Sequence, residues 1–186
     1  LEMIIPIVKT YPSEAGAESV DNGLQVLGGY GFCTDFTLQQ SYRDIRISAL
    51  YEGKKGIQSQ KLLGRKVQMQ NGKGLELLSA EIVKTIIAAN NEDELKPYGK
   101  ILGDKLELSQ KILSHLMPFA LKGNYERYLS DANLFMEYMS IVVLGWLWLE
   151  MAIDAKNELN NADRKYSETF YESKIHTMKF YFKYEV

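Results

Sequence analysis

Three segments between Gln25 and Gln58 decide the fold: Gln25-Val-Leu-Gly-Gly-Tyr-Gly31, Tyr42-Arg-Asp44 and Tyr51-Glu-Gly-Lys-Lys-Gly-Ile-Gln58. The glycines of the first segment tolerate positive φ and leave backbone N–H groups bare, so this loop can lie against a phosphate or another polar ligand. A flavin or a nucleotide fits such a loop. In the third segment, Glu52 lies directly before Gly53 and is the most specific candidate for a catalytic residue.

Each segment has an ordinary explanation when it is taken alone. A Gly-Gly-x-Gly run is usually a tight turn between helices, and a carboxylate before a glycine is usually a solvated helix end. The order and spacing of the three segments make the combination specific.

The combined run resembles the C-terminal part of the acyl-CoA dehydrogenase family. The resemblance covers about residues 1–66, and Tyr11-Pro12-Ser13-Glu14 is similar to the segment before the glycine loop in one long-chain subgroup. The region after Asn71-Gly72 resembles, more diffusely, a C-terminal extension in the subgroup that includes 3-methylmercaptopropionyl-CoA dehydrogenases.

The resemblance implies that the glycine loop of one subunit reaches the FAD of its neighbour. It assigns six residues to cofactor binding: Gln25, Gly28, Gly29, Gly31, Lys54 and Gln58. Tyr51, Glu52 and Gly53 are assigned to the substrate site. The family usually has Thr, close to the flavin, where this chain has Lys54, and this is its main departure from the pattern.

The implied reaction oxidises an acyl-CoA to a trans-2-enoyl-CoA, with Glu52 removing the α-proton while a hydride leaves the β-carbon for FAD. A carboxylate in water is too weak a base for this proton, so the family polarises the thioester carbonyl with hydrogen bonds, one of them from the backbone N–H of Glu52. Desolvation would raise the pKa of Glu52 and strengthen it as a base. Electron-transfer flavoprotein is the implied electron acceptor, and a homo-oligomer, dimer or tetramer, is the implied assembly.

A second interpretation is a noncatalytic helical interaction module that inherited the loop and Glu52. Lys54 favours it, because a neighbouring cation lowers the pKa of Glu52 and weakens proton abstraction.

The length of 186 residues is enough for one domain or for two small helical layers. Enzymes of the family resemble a three-part plan with an N-terminal helical domain and a middle β-domain, and neither has a counterpart here. We therefore expect a C-terminal fragment that starts within a helix. Residues 1–69 are expected to form part of the dehydrogenase helical domain, and residues 70–186 the helical extension.

Composition is ordinary for a globular protein, with 46% hydrophobic residues, 25% charged residues and a net charge of −2. No basic patch suggests nucleic acid. The single cysteine, Cys33, excludes an intramolecular disulfide and fits a reducing, cytoplasmic location; it is either a reactive thiol or, as we favour, a small buried filler. The most apolar run, Ile141–Leu149, has about half of the ~20 residues that cross a bilayer, so no membrane span is expected.

Apolar spacing of three and four residues predicts an all-α fold. In the first part, a break at Tyr11-Pro12 separates two helices, the second capped by Ser13 and ending near Leu27. Further helices are predicted from Thr37 to Ala49 and from Gly53 to Gly64 or Lys66. Beyond Asn71-Gly72, four segments predict an up-and-down bundle: 73–90, 97–118, 125–159 and 162–184.

The remaining polar residues are expected to be structural. Arg43 and Asp44 point about 100° apart on a helix and should tie it to its neighbours. Four glutamates, Glu76, Glu81, Glu92 and Glu94, are expected on solvated faces. His115 and His176 have no partners at metal-ligand spacing, so no metal site is predicted. An aromatic and Met-rich surface is expected to pack in the core: Phe135, Tyr138, Met139, Trp146 and Trp148.

Overall fold

The computed structural model describes residues 1–51 and 53–186, and these residues form helices and turns without a β-strand. The helices are α1 (Ile5–Leu27), α2 (Leu38–Ser48), α3 (Lys55–Lys61), α4 (Lys73–Ala89), α5 (Lys96–Leu121), α6 (Tyr125–Leu129), α7 (Ala132–Leu159) and α8 (Glu168–Tyr184). A 3₁₀ turn covers Gly28–Phe32, and a π-helical turn covers Leu62–Lys66. The predicted all-α fold is confirmed.

The chain forms two compact units. The first comprises Leu1–Gly72 and Leu129–Glu137, and the second comprises Lys73–Tyr128 and Tyr138–Val186. The first unit contains the glycine loop and the described residues assigned to cofactor and substrate. The positive φ angles of Gln70, Asn71 and Gly72 make the turn that ends its first segment, as the Asn-Gly pair predicts.

Helix α1 runs without interruption through Pro12, so the predicted break at Tyr11-Pro12 and the helix start at Ser13 are wrong. Pro6 lies in the first turn, where its missing N–H costs nothing. Buried residues continue past the proline at Ile7, Thr10 and Ser13, so one packing face spans it. The hydroxyl of Ser13 donates to the Lys9 carbonyl at 2.7 Å, which provides a local contact beside the lost backbone bond.

Helix α2 packs against α1 at two glycines. A Cβ placed on Gly16 would lie 2.5 Å from Cδ1 of Ile45, and one on Gly23 would lie 3.0 Å from Cδ1 of Leu38. Small residues therefore permit the close approach. Among residues 1–51 and 53–186, Arg43 does not tie α2 to a neighbour as predicted. Its exposed guanidinium donates to Oε1 of Gln39 on the same helix at 3.1 Å.

The second unit is held together by contacts among its four long helices. Gly99 of α5 lies against Ile86 and Ala89 of α4. The hydroxyl of Tyr138 on α7 donates to the Lys105 carbonyl of α5 at 2.6 Å, and burial raises the pKa of that phenol. Trp146, predicted as core, is half-buried, and its indole N–H donates to Oγ1 of Thr85 on α4 at 2.8 Å. The hydroxyl of Tyr181 on α8 donates to the Ile141 carbonyl at 3.4 Å.

Three predicted helix boundaries in this region are wrong. Helix α5 continues through Pro118 to Leu121, beyond the predicted end at 118. The helix predicted over 125–159 is interrupted at Ser130 and Asp131, residue types that favour helix starts over helix interiors. The last helix begins at Glu168 and not at Ala162. Oδ1 of Asn161 accepts the N–H of Asp163 at 3.0 Å, which favours a turn there, and the Ser167 hydroxyl caps α8 by accepting the N–H of Phe170.

The stretch Tyr125–Leu159 is long and apolar enough to cross a membrane by length and composition, with a mean hydropathy of 1.4 over its most apolar 18-residue window. This differs from the expectation drawn from Ile141–Leu149 alone. In this structure 44% of that window is buried within the chain. Met136, Met139 and Val142 are among its buried residues. Core helices of soluble proteins have the same properties, so the stretch is weak evidence for a membrane span.

Candidate functional site

The glycine loop begins where α1 ends, and its shape depends on Gly31. A Cβ on Gly31 would lie 2.5 Å from the carbonyl oxygen of Leu24, so only glycine fits there. Gly28 has φ of +58°, and its N–H donates to the carbonyl of Gln25. A Cβ on Gly28 or Gly29 would meet no atom within 4 Å. The loop is thus anchored at Gly31 and open at Gly28-Gly29.

Aromatic side chains surround this opening. Phe32 is 95% exposed and Tyr30 is 67% exposed, and the Tyr30 ring lies 5.6 Å from that of Phe36. Cys33 is half-buried, and its thiol donates to the Gly29 carbonyl at 3.7 Å. Cys33 is therefore partly accessible, and not the small buried filler favoured from the sequence.

The residues on either side of Glu52 form a second group at the start of α3. Glu52 itself lies outside the described residues. Gly53 has φ of +99°, and a Cβ there would lie 3.2 Å from Nε2 of the buried Gln58. The Lys54 carbonyl accepts the N–H groups of Ile57 and Gln58 at 2.9 and 3.1 Å. Because Gly53 is not helical, α3 starts at Lys55 and not at Gly53 as predicted.

Tyr51 is half-exposed, with the ammonium of Lys9 3.9 Å from its ring centroid. The same ammonium donates to the Ser48 carbonyl. Beside these residues a cavity of about 40 Å³ is lined in part by Gly53 and Thr10. The buried Oγ1 of Thr10 has no hydrogen-bond partner among the described residues. The cavity is large enough for a water molecule that would satisfy this hydroxyl.

Lys55 joins three separate parts of the first unit. Its ammonium lies 2.9 Å from Oε2 of Glu14 on α1 and 2.6 Å from Oε1 of Glu137 on α7. Burial lowers the pKa of Lys55, but hydrogen bonds to Glu137 and Glu14 outweigh this effect, and the net shift is upward. The partners are distant in sequence, so no local pattern predicts this contact.

The two groups of predicted site residues lie far apart along α1. Lys55 contacts Glu14, whereas the glycine loop starts at Gly28. At 1.5 Å per residue, the helix between Glu14 and Gly28 spans about 21 Å. The glycine loop and the neighbours of Glu52 therefore do not line one pocket within a single chain.

A third feature, which sequence reasoning missed, is a cleft of about 420 Å³ beside the first turn of α1. Its lining comprises Ile5, Pro6, Lys9, Gln58, Lys61, Arg65 and Lys66. The spacing of Lys61 and Arg65, four residues apart on one helical face, is the local signal for this basic wall. Lys9 joins this basic wall only because α1 packs against α3, so the sequence does not predict its position there.

Several charged groups of the second unit form ion pairs within it. Glu94 contacts the ammonium groups of Lys156 and Lys179. Hydrogen bonds from these lysines hold the pKa of Glu94 below its usual value, and the bond from Lys156 has the largest effect. Glu94 is exposed, as expected, and it also forms ion pairs with lysines of two helices. Glu76 and Glu81 are exposed and pair with lysines one turn away. Within residues 1–51 and 53–186, no cluster of three or more His, Cys, Asp or Glu side chains is arranged to hold a metal.

Two family profiles match the sequence. The profile described as acyl-CoA dehydrogenase, C-terminal domain, matches residues 2–66. The profile described as acetyl-CoA dehydrogenase C-terminal like matches residues 78–186.

Several curated proteins are similar to this chain. The broad-specificity linear acyl-CoA dehydrogenase FadE5 of Mycobacterium tuberculosis is 27% identical over 98% of this chain and 31% of its own length. A butyryl-CoA dehydrogenase of Syntrophomonas wolfei is 28% identical over 95% of this chain and 29% of its own length. The 3-methylmercaptopropionyl-CoA dehydrogenase of Ruegeria pomeroyi is 38% identical over 45% of this chain and 14% of its own length.

The chain spans less than a third of the length of these relatives. With one profile on each side of the Asn71-Gly72 turn and an all-α fold throughout the described residues, the chain belongs to the C-terminal region of the acyl-CoA dehydrogenase family.

Proposed function

We propose that this chain is the C-terminal part of a longer, FAD-dependent acyl-CoA dehydrogenase. The intact protein would catalyse α,β-dehydrogenation of an acyl-CoA thioester and pass electrons to electron-transfer flavoprotein. The observation that carries the proposal is the separation of about 21 Å between the open glycine loop and the neighbours of Glu52. Such an arrangement suits a site completed by two subunits, one supplying the loop and the other supplying the base.

The loop residues fit a polar cofactor such as FAD. Gly28 and Gly29 are exposed, with no atom within 4 Å of where a Cβ would lie, and Gln25 is exposed on the last turn of α1. Gly31 fixes this opening by its close packing against Leu24. A bound FAD would supply the acceptor for the hydride that leaves the β-carbon of the thioester.

In the proposed reaction Glu52 takes the α-proton of the thioester. Lys54 is the cation nearest to Glu52 in sequence that has no carboxylate partner among the described residues. The next cation, Lys55, is paired with Glu14 and Glu137. Burial of the completed site would raise the pKa of Glu52, and Lys54 would lower it. The balance between these effects sets the strength of the base.

The test is Glu52→Gln in the full-length parent, with Glu18→Gln as a control that changes the charge equally on an exposed face of α1. Glu52→Gln should retain FAD and acyl-CoA binding and lose turnover by about three orders of magnitude, because only the proton acceptor is removed. Glu18→Gln should have normal turnover. The isolated chain should purify without stoichiometric FAD. Near-normal turnover of Glu52→Gln would assign the base elsewhere.

The second candidate function is a noncatalytic interaction module, which Lys54 favours. A colourless full-length parent that does not oxidise acyl-CoA would support it. If the parent is instead an enzyme, Lys54→Thr should move the acidic limb of its kcat/KM profile to higher pH, because removing the cation raises the pKa of Glu52.

A further inference from the structure

We propose that the cleft beside the first turn of α1 is a binding site for a diphosphate group. The site is at the opposite end of α1 from the glycine loop, and its lining includes Gln58, which the family resemblance assigns to cofactor binding. The proposal rests on the charge of the cleft wall, the geometry of the helix that carries it, and the size of the cleft.

The cleft has more positive charge than its surroundings neutralise. Lys66 is paired with Glu2 at 2.9 Å, and the ammonium of Lys9 is occupied by the Ser48 carbonyl and the Tyr51 ring. Lys61 and Arg65 have no carboxylate within ion-pair distance among residues 1–51 and 53–186. Two cationic side chains one turn apart are therefore available to an anion.

The π-helical turn Leu62–Lys66 brings the basic residues to one side. The N–H of Val67 donates to the Leu62 carbonyl at 3.0 Å, the i to i+5 bond that defines this turn. A π turn holds one residue more than an α turn, so Arg65 and Lys66 are rotated back towards the side of Lys61. Leu62 and Leu63 are completely buried and hold the turn in place. Such turns often occur at functional sites.

The chemistry of the wall favours phosphate over other anions. The guanidinium of Arg65 presents a planar fork that matches phosphate oxygens, and Lys61 adds a point charge one turn away. The cleft volume of about 420 Å³ falls in the range of small-molecule sites and exceeds what one phosphate fills. A diphosphate matches both the available charge and the space.

The experiment measures binding of inorganic pyrophosphate to residues 1–186 by isothermal titration calorimetry at constant ionic strength, with orthophosphate as the less charged comparison. Pyrophosphate should bind saturably with one site per chain, and more tightly than orthophosphate. The K61Q/R65Q double variant should lose about tenfold or more in affinity. K84Q/K111Q removes the same charge from two surface ion pairs of the second unit and should bind like the wild type.

A second pair of variants tests the cleft through an expected gain in pyrophosphate affinity. Glu2→Gln frees Lys66 and removes the one carboxylate that is paired with a lysine of this wall among the described residues, so pyrophosphate affinity should rise severalfold. Glu107→Gln breaks a comparable surface pair with Lys111 and should leave the affinity unchanged.

Three results would overturn the proposal. The first is no saturable heat at millimolar pyrophosphate. The second is an equal loss of affinity in K61Q/R65Q and K84Q/K111Q, which would mean nonspecific electrostatics. The third distinguishes a lipid headgroup from a soluble ligand. In that result the chain floats with phosphatidylglycerol vesicles in a way that depends on Lys61 and Arg65, but it does not bind pyrophosphate. The two charges would then belong to a surface that contacts lipid.

Discussion

Gly31 determines the shape of the glycine loop because it has no Cβ atom. Its backbone lies so close to Leu24 that a methyl group would contact the Leu24 carbonyl oxygen at 2.5 Å, whereas the neighbouring Gly29 has open space at the same place. The loop therefore contains two glycines with different roles, one required by packing and one that leaves backbone accessible.

Gly31→Ala should lower the free energy of unfolding by about 1–3 kcal/mol, because the new methyl group forces the backbone to move. Gly29→Ala is the matched control. It should change stability by less than about 1 kcal/mol, since nothing lies within 4 Å of the new Cβ and its φ is not positive. Urea unfolding of both variants gives the comparison. Equal stability of the two would mean that the loop adjusts without cost.

Glu94 gives a pH-dependent prediction at the residue scale. Hydrogen bonds from Lys156 and Lys179 hold the pKa of Glu94 below its ordinary value in the folded chain, and an unfolded glutamate titrates at about 4.3. The contribution of Glu94 to stability is therefore complete above about pH 5 and is lost as the pH falls through the folded pKa. Glu94→Gln should lose ~1 kcal/mol at pH 7, and its difference from the wild type should shrink below pH 4.

Glu92→Gln is the control for this measurement, because Glu92 has no ion-pair partner among the described residues. Thermal unfolding followed from pH 3 to pH 7 would show the two profiles. A constant difference between Glu94→Gln and the wild type over this range would contradict a stabilising role for the charge of Glu94.

At the scale of the element, α1 shows why Pro12 does not break the helix as the sequence predicted. Pro12 lacks the N–H that would bond to the Val8 carbonyl, yet the helix continues because Ile7, Thr10 and Ser13 share one buried face across it. Packing of that face outweighs the unfavourable helix propensity of proline.

Pro12→Ala should therefore stabilise the chain, by ~1 kcal/mol or more, because it restores a backbone donor within α1. Pro97→Ala changes a proline in the first turn of α5, where no such bond is missing, and should be neutral or slightly destabilising. The midpoints of urea unfolding at equal m-value decide the comparison. Destabilisation by Pro12→Ala would show that the proline ring itself packs against the unit.

At the scale of the whole molecule, the exposed apolar residues around the glycine loop predict self-association. Val26 is 87% exposed and Phe32 is 95% exposed, with Tyr30 between them in sequence. Leu24 and Leu27, at the end of α1, are half-buried. Exposed apolar side chains of this size are typical of an interface, and burying a few hundred Å² contributes several kcal/mol before association costs are subtracted.

Sedimentation equilibrium of residues 1–186 should give a mass near that of a dimer at high concentration. The variant V26S/F32S should weaken the association by about tenfold or more, since both side chains lie on the proposed interface. Leu121→Ser, which changes an 83% exposed leucine of the second unit, should have no effect. A wild-type mass that stays near 21.3 kDa would contradict the proposed interface.

The sequence by itself determined the helical class, the glycine turn after α1, the Asn71-Gly72 turn and the family resemblance. These features depend on local chemistry: the period of apolar residues, the φ preferences of glycine and asparagine, and motif spacing. Helix ends were less well predicted, because capping by Ser167 and the turn at Asn161 compete with an apolar period that continues across them.

Only the tertiary structure decided which distant residues meet. The pairing of Lys55 with Glu14 and Glu137, and that of Glu94 with Lys156 and Lys179, join positions that no sequence period relates. The continuity of α1 through Pro12 and the basic cleft beside its first turn also depend on packing between helices. Contacts of this kind arise because burial of an apolar face fixes the relative positions of the helices, and the charged groups on their edges then meet as a consequence.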